Sequence, residues 1–197
     1  MTAHTVSPDA PARADAAREA GSTPGTTSDR LLALLQDGRA RHQLIEHAPE
    51  GRTDVVSALR GNALDQAAKC IIMRVKVTKK SSRYALAVVP GDRRVDLGRV
   101  KELYDARHVS FADPATAERL SGCVSGSIVP FSFDPTLELI VDPGLLEHRE
   151  IFFNAAELHL SLALDTEDYR RLARPRVAPI AEPIAEPATE PATRTAS

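Results

Sequence analysis

The fold predicted for this chain is decided by two apolar segments, Lys69-Cys-Ile-Ile-Met-Arg-Val-Lys-Val77 and Tyr84-Ala-Leu-Ala-Val-Val89. Both are rich in apolar and β-branched residues, which favour strands. The polar residues 78–83 between them are typical of a turn. The sequence therefore predicts an antiparallel β-hairpin at this point of the chain.

Helices and further strands are predicted on both sides of the hairpin. Ser28 is expected to cap a first helix that runs to Gly38, and Thr53 to cap a short helix closed by Gly61. Further helices are predicted at 97–104 and 114–120, and Thr166 is expected to cap a last helix that runs to Arg174. Further strands are predicted at 42–46, 108–111, 137–141, 151–153 and 158–164. Because helices and strands interleave without strict βαβ alternation, the predicted class is α/β with a mixed sheet.

Length and composition limit the number of folded domains that the chain can contain. The chain has 197 residues, 43% of them apolar, which suits a single domain of ordinary size. Residues 1–26 are small and polar, and residues 175–197 repeat Ile-Ala-Glu-Pro and Ala-Thr-Glu-Pro. Both ends are predicted to be disordered tails, which leaves one folded domain at 27–174.

Charge and cysteine content exclude several classes of protein. Cys70 and Cys123 lack the spacing of a zinc or redox motif, and no signal peptide or membrane-length apolar run is visible. A reduced, cytoplasmic protein without a membrane partner is expected. The net charge of −2 argues against a DNA-wrapping protein, so any RNA contact must be local. One basic cluster without acids qualifies, although a solvated hairpin tip explains it equally well: Arg74, Lys76, Lys79, Lys80 and Arg83.

A glycine-rich loop is the main candidate for a binding site. In the run from Leu120 to Phe133, Gly122, Gly126 and Pro130 recur every four residues. Such a loop can approach a ligand closely and hold its amides in a fixed array, but the same spacing also builds ordinary turns. Lys69 precedes the apolar run and either enters a cleft or extends to the surface.

The usual catalytic signatures are missing from the sequence. No Gly-x-Ser-x-Gly elbow occurs, and the histidines lack the His-x-x-x-His spacing of a metal site. Neither a metal nor a cofactor is predicted.

Together these motifs resemble the YbaK/ProRS-associated family, free-standing aminoacyl-tRNA editing domains related to the insertion domain of bacterial prolyl-tRNA synthetase. The resemblance spans residues 30–174 and is nearest to the YeaK-like, ProXp-ST branch, which acts on seryl- and threonyl-tRNA. It implies a mixed, curved sheet flanked by helices. The motifs that carry it are Gly61-x-Ala63, Gln66-x-x-Lys69, Gly122-Cys-Val-x-Gly126, Gly126-Ser-Ile-Val-Pro130 and Pro130-Phe-Ser-Phe133.

The resemblance also implies an activity and the residues that perform it. It implies hydrolysis of the ester of mischarged tRNA by water, with a positive charge from Lys69 and backbone amides at Gly126 and Ser127 acting on the ester. The acceptor end of the tRNA would meet Arg74, Lys76, Lys79 and Lys80, and a synthetase or elongation factor is a further implied partner. The implied substrate-binding residues are Gly122, Ile128, Val129, Pro130, Phe131, Asp142, His47 and Thr53.

Structural roles remain open for three of these residues. Asp142 precedes Pro143-Gly144 and is as typical of a turn cap as of a pocket, while His47 and Thr53 also suit a strand end and a helix start. Val129, and the alanines that follow Asn154 where relatives usually carry a glycine, leave serine, threonine, alanine and cysteine open as substrates. A non-catalytic binding module and an esterase for a small activated metabolite are the alternative functions.

Overall fold

A computed structural model describes residues 25–184 of the chain. The α-helices in this range are α1 (Thr27–Asp37), α2 (Thr53–Arg60), α3 (Leu97–Leu103), α4 (Pro114–Ser121) and α5 (Thr166–Ala173). The strands are β1 (His42–Glu46), β2 (Ala68–Lys76), β3 (Ser82–Pro90), β4 (Arg93–Val95), β5 (His108–Phe111), β6 (Leu137–Val141), β7 (Glu150–Glu157), β8 (Leu160–Asp165), β9 (Arg176–Val177) and β10 (Ala181–Pro183). Short 3₁₀ helices cover Leu64–Gln66 and Pro143–Glu147. No helix within residues 25–184 has the length and apolar character needed to cross a membrane.

The predicted hairpin is the centre of a five-stranded mixed sheet with the order β5-β2-β3-β6-β9. β2 and β3 pair antiparallel from Ala68↔Pro90 to Lys76↔Ser82, and β6 pairs parallel with β3. The α/β class and the hairpin are therefore confirmed.

The remaining strands form separate sheets. β1, β8 and β7 make an antiparallel sheet of three strands, and β10 pairs with β4. The three-stranded sheet meets the central one at a single parallel bridge between Ala67 and Phe152. Beyond this bridge β2 and β7 separate, which leaves a cleft between the two sheets.

Hydrophobic clusters cover both faces of the central sheet. On one face Ile72, Leu86 and Val88 pack against the three-stranded sheet, α1, α5 and the glycine loop. On the other face Met73, Ala87 and Val89 form a second cluster with side chains from α3 and the C-terminal segment. Burial on both faces explains why β2 and β3 read as near-continuous apolar runs.

The C-terminal boundary predicted at Arg174 is wrong. Residues 175–184 pack on the domain: β9 pairs with β6, β10 pairs with β4, and Ile180 is 1% exposed. The carboxylate of Asp142 holds this segment, since its Oδ2 accepts the backbone N–H groups of Ile180 at 2.9 Å and Ala181 at 2.8 Å. The predicted N-terminal tail lies outside the described residues up to residue 24, as do residues 185–197 of the predicted C-terminal tail.

Three predicted helix caps are displaced by one or two residues. Thr26, not Ser28, caps α1 by accepting from the backbone N–H of Asp29. Asp165, not Thr166, caps α5, because its carboxylate accepts from two backbone N–H groups of the first turn. Thr53 is the first residue of α2, and the preceding Arg52 makes no side-chain cap.

Candidate active site

A cavity of 190 Å³ lies in the cleft where β2 and β7 separate. The start of β2 forms one wall, the middle of β7 another, and α2 with the glycine loop closes the sides. The lining residues are Gly51, Thr53, Val56, Arg60, Ala67, Ala68, Lys69, Cys70, Gly126, Ile128, Phe152, Phe153 and Asn154.

The edge of β2 presents backbone groups to this cavity. Further along the strand the carbonyls of Ile72 and Lys76 accept N–H groups from residues 112 and 107, on the side where β5 lies. The pairing of β5 with β2 begins only at Met73. Since alternate residues of a strand turn their N–H and C=O groups to the same side, the backbone N–H of Cys70 points to the open edge beside the cavity.

Lys69 enters the cleft, as one of the two alternatives predicted. The side chain is half-buried, and its Nζ donates to the carbonyl oxygen of Gly91 at 3.1 Å. Burial lowers the pKa of Lys69 below its ordinary value, and the nearby Asp92 carboxylate offsets part of that shift. The ammonium is thus held by a neutral acceptor, and Lys69 is one of the residues that line the cavity.

Gly126 forms the wall through direct contact between two backbones. Its φ is +89°, and a Cβ at this position would lie 2.6 Å from the Cα of Gly51. Only glycine combines that dihedral angle with so close an approach. The amide of Asn154 fixes both sides of the contact by donating to the carbonyls of Glu50 at 2.9 Å and Gly126 at 3.0 Å.

A polar network lies behind this wall and centres on Ser161. Its hydroxyl oxygen lies 2.8 Å from Asn154 Oδ1, 2.7 Å from His47 Nε2 and 3.2 Å from a terminal nitrogen of Arg60. His47 Nδ1 lies 2.8 Å from the carbonyl of Ala48, which can only accept, so Nδ1 carries a proton. His47 therefore orients the groups behind the wall and does not line the cavity.

Four predicted site residues line the cavity, namely Lys69, Gly126, Ile128 and Thr53. Ser127 is not among the lining residues, and its catalytic role stays a prediction. Both its backbone N–H and its hydroxyl donate to the carbonyl of Val124, each at 3.0 Å, so neither remains for an ester oxygen.

The other loop residues predicted to bind substrate lie in the core or at another surface and do not line this cavity. Val129 and Phe131 are 1% and 5% exposed within the hydrophobic cluster, and the carbonyl of Pro130 accepts from the buried hydroxyl of Tyr169. Gly122 ends α4 in the left-handed conformation and contacts Thr27. Ile128, which directly precedes Val129, is the loop residue beside it that lines the cavity.

Asp142 has the structural role. Its Oδ1 accepts from the backbone N–H of Gly144 at 3.0 Å, and its Oδ2 holds the C-terminal segment. Both carboxylate oxygens are thus occupied, away from the cavity lining.

The basic residues predicted to bind RNA are exposed at the far end of the hairpin. Arg74 and Lys76 share one face of β2, and Lys79 and Lys80 lie in the turn that follows. At about 3.3 Å per residue, Lys76 lies about 23 Å along the strand from Lys69. The basic cluster is therefore separate from the cavity.

Sequence reasoning missed four lining residues that matter for the chemistry: Gly51, Arg60, Cys70 and Asn154. Gly51 and Arg60 had local signals, since each sits beside a helix end in a Gly-Arg or Arg-Gly pair. Asn154 had no local signal, because its role depends on two carbonyls that are distant in the sequence. The carbonyl of Glu50 is 104 residues away and that of Gly126 is 28 residues away.

The arrangement suits electrostatic and not nucleophilic chemistry. Burial raises the pKa of the Cys70 thiol, so the thiolate needed for covalent attack does not form near neutral pH. Among residues 25–184 no group of three or more His, Cys, Asp or Glu side chains could hold a metal ion. What the cavity offers is an ammonium, a guanidinium and backbone amides, which are groups that stabilise negative charge.

Known proteins are similar to this chain in sequence and in fold. A sequence profile described as the aminoacyl-tRNA editing domain matches residues 47–172. The multifunctional Ser/Thr-tRNA deacylase ProXp-y of Escherichia coli strain K12 is 40% identical over 152 residues, which cover 77% of this chain and 90% of that protein. The protein of the same name from Escherichia coli O157:H7 gives the same figures.

Two solved structures are similar in fold, each at 20% identity. The hypothetical protein APE2540 superposes with a TM-score of 0.70 and covers 78% of this chain and 99% of its own. A protein put forward as a trans-editing enzyme for prolyl-tRNA synthetase superposes with a TM-score of 0.66 and covers 80% of this chain and 98% of its own.

Proposed function

Because this chain belongs to the aminoacyl-tRNA editing domain family, we propose that its cleft hydrolyses the ester bond of mischarged aminoacyl-tRNA. One observation carries the proposal. Lys69, a cationic residue, and the open backbone edge of β2 line the same small cavity. An aminoacyl ester is already activated, so its hydrolysis needs a placed water and a site for the oxyanion more than a strong nucleophile.

The reaction proposed is a direct attack of water on the ester carbonyl. The carbonyl oxygen takes up negative charge in the tetrahedral intermediate, where Lys69 and the backbone N–H of Cys70 stabilise it. The C–O bond to the ribose then breaks, and the proton given up by the water goes to the ribose oxygen. The products are the free amino acid and a tRNA with its terminal hydroxyl restored.

Serine and threonine are the proposed amino acids. The Escherichia coli relative is named a Ser/Thr-tRNA deacylase, and the cavity of 190 Å³ suits a small side chain. Thr53 adds a hydroxyl to the cavity lining, which also contains the small residues Gly51, Gly126, Ala67 and Ala68. A methyl group changes discrimination by only about 1–3 kcal/mol, so serine and threonine are expected to be processed together.

The acceptor end of the tRNA is the proposed RNA contact. Along β2, Arg74 and Lys76 lie about 17 Å and about 23 Å from Lys69, a distance that about five to seven nucleotides span at ~3.4 Å per phosphate. Lys79 and Lys80 lie in the turn beyond them. We place the reaction in the cytoplasm, with a synthetase or an elongation factor as the protein that would deliver the charged tRNA.

A deacylation panel tests the proposal. Wild-type protein is incubated with tRNA charged with serine, threonine, alanine or cysteine, and release of the amino acid is followed over time. Turnover of the seryl and threonyl esters is expected, and a folded protein that releases none of the four amino acids would refute the enzyme.

Lys69→Ala tests the role given to the ammonium. Removing one stabilising group costs about 10²–10³-fold in kcat, whereas Lys101→Ala, an exposed lysine on α3, should leave the rate unchanged. Circular dichroism establishes that both variants fold. Full activity in Lys69→Ala would remove Lys69 from the mechanism.

A further inference from the structure

Arg60 is unusual among the arginines that the structure describes. Every other arginine within residues 25–184 is solvent-exposed, whereas Arg60 is partly buried and lines the cavity beside Lys69. It is the last residue of α2, and Gly61 in the left-handed conformation turns the chain away immediately after it. The side chain is thereby directed from the helix end into the cleft.

The guanidinium is held by neutral groups only. Nε donates to Asn62 Oδ1 at 3.0 Å, Nη1 to Ser161 Oγ at 3.2 Å and Nη2 to Ser57 Oγ at 3.4 Å. Arginine has five N–H donors, so one N–H on each terminal nitrogen remains. These two N–H groups remain for a ligand, and parallel N–H groups of one guanidinium can bind two oxygens of one anion.

No carboxylate among residues 25–184 forms an ion pair with Arg60 within 4.0 Å. The cavity lining contains Arg60 and Lys69 but neither aspartate nor glutamate. Burial lowers the pKa of Arg60 to about 10, which is still well above neutral pH. The cleft therefore carries two positive charges in a chain whose net charge is −2.

Partial burial of a cation without a counter-ion is unfavourable, because the protein replaces hydration with weaker neutral contacts. Such an arrangement is relieved when an anion binds. An aminoacyl ester has no free carboxylate, and serine and threonine side chains are neutral. The permanent anions of the proposed substrate are its phosphates.

We propose that Arg60 binds the phosphate on the 5′ side of the terminal ribose of the aminoacyl-tRNA, while the Lys69 ammonium acts on the ester oxygen. This inference rests on the proposed function and adds a binding residue to it. Arg60 fixes the position of the terminal nucleotide, so that the ester reaches the edge of β2. It acts in substrate binding and makes no bond to the reacting atoms.

Adenosine 5′-monophosphate and adenosine form a matched pair of probes, because they differ only in this phosphate. Calorimetric titration of the full chain measures the affinity of each and needs no turnover. Wild-type protein is expected to bind the monophosphate at least about tenfold more tightly than adenosine, as a charge-assisted pair provides. In Arg60→Gln this ratio should fall to near one, while Arg170→Gln, an exposed arginine on α5, should retain it.

Deacylation kinetics separate phosphate binding from the alternatives. Arg60→Gln should raise KM at least about tenfold with kcat little changed, and the slope of log KM against log salt should fall by about 0.7 for one lost phosphate contact. A fall in kcat at unchanged KM would overturn the proposal, since it would place Arg60 on the oxyanion. A monophosphate-to-adenosine ratio that survives Arg60→Gln would overturn it as well.

Two further controls keep the test decisive. If Arg60→Gln does not fold, Arg60→Lys replaces it, since lysine keeps the charge but cannot donate two parallel hydrogen bonds. The ratio of the affinities for the monophosphate and for adenosine should then be intermediate. An unchanged ratio would refute bidentate binding. If wild-type protein deacylates no substrate but still shows the monophosphate preference, the proposed function fails and the phosphate site stands.

Discussion

Replacing Gly126 by alanine tests the backbone contact that forms the cavity wall. The residue has a φ of +89°, in a region that costs a residue with a side chain about 1–2 kcal/mol. The added Cβ would also lie 2.6 Å from Gly51 Cα and 3.0 Å from the Gly51 carbonyl oxygen. These are backbone atoms and cannot rotate away, so overpacking adds about 1–3 kcal/mol. The expected loss in the free energy of unfolding is about 2–5 kcal/mol.

Urea denaturation followed by circular dichroism measures this loss, and Gly61→Ala is its matched control. Gly61 has a similar φ of +75°, but nothing lies within 4 Å of the Cβ that alanine would add. It should therefore lose only the dihedral contribution of about 1–2 kcal/mol. The difference between the two variants isolates the contact with Gly51. Equal losses in both would refute the reasoning, and Gly126→Ala should in addition reduce deacylation, because the wall moves.

Two further predictions concern titratable groups. Cys70→Ala should keep at least about half of the wild-type kcat/KM, since burial raises the pKa of this thiol and only its backbone N–H is used; a hundredfold loss would indicate covalent catalysis. Hydrogen bonds from Arg171 and Arg41 hold the pKa of Asp168 well below its usual range. A lowered folded-state pKa stabilises the protein above the unfolded pKa of about 3.9, and this stabilisation is lost as the pH falls below that value. The difference in unfolding free energy between wild type and Asp168→Asn should shrink below about pH 4, and a constant difference from pH 7 to 2.5 would contradict this.

The elements that sequence reasoning predicted well are those set by local pattern. The hairpin of β2 and β3 follows from two apolar runs around a polar turn, and the strand at residues 137–141 has the predicted bounds. The editing-domain family inferred from the motifs is confirmed by the family profile and by the 40% identity to the Escherichia coli relative. Those motifs are local in sequence, so no tertiary information was needed to recognise them.

The elements that were missed depend on distant partners. The segment around Ile180 reads as a low-complexity tail, but the Asp142 carboxylate binds its backbone and the second hydrophobic cluster buries its side chain. Neither interaction leaves a trace in the composition of residues 175–184. The positive φ of Ala156, +65°, is a similar case, since it arises from the irregular pairing of β7 with β8.

Local sequence patterns were enough to infer the α/β class, the central hairpin and the family, and to single out Lys69 and the glycine loop as site candidates. Which loop residues face the cavity depends on the tertiary structure. Gly126 and Ile128 do, whereas Ser127, Val129 and Phe131 turn into the protein. Spacing along a loop does not specify the direction of its side chains, because packing against Gly51, Asn154 and Tyr169 from distant segments sets it. The same holds for Arg60, because only the fold shows that no carboxylate within residues 25–184 forms an ion pair with it.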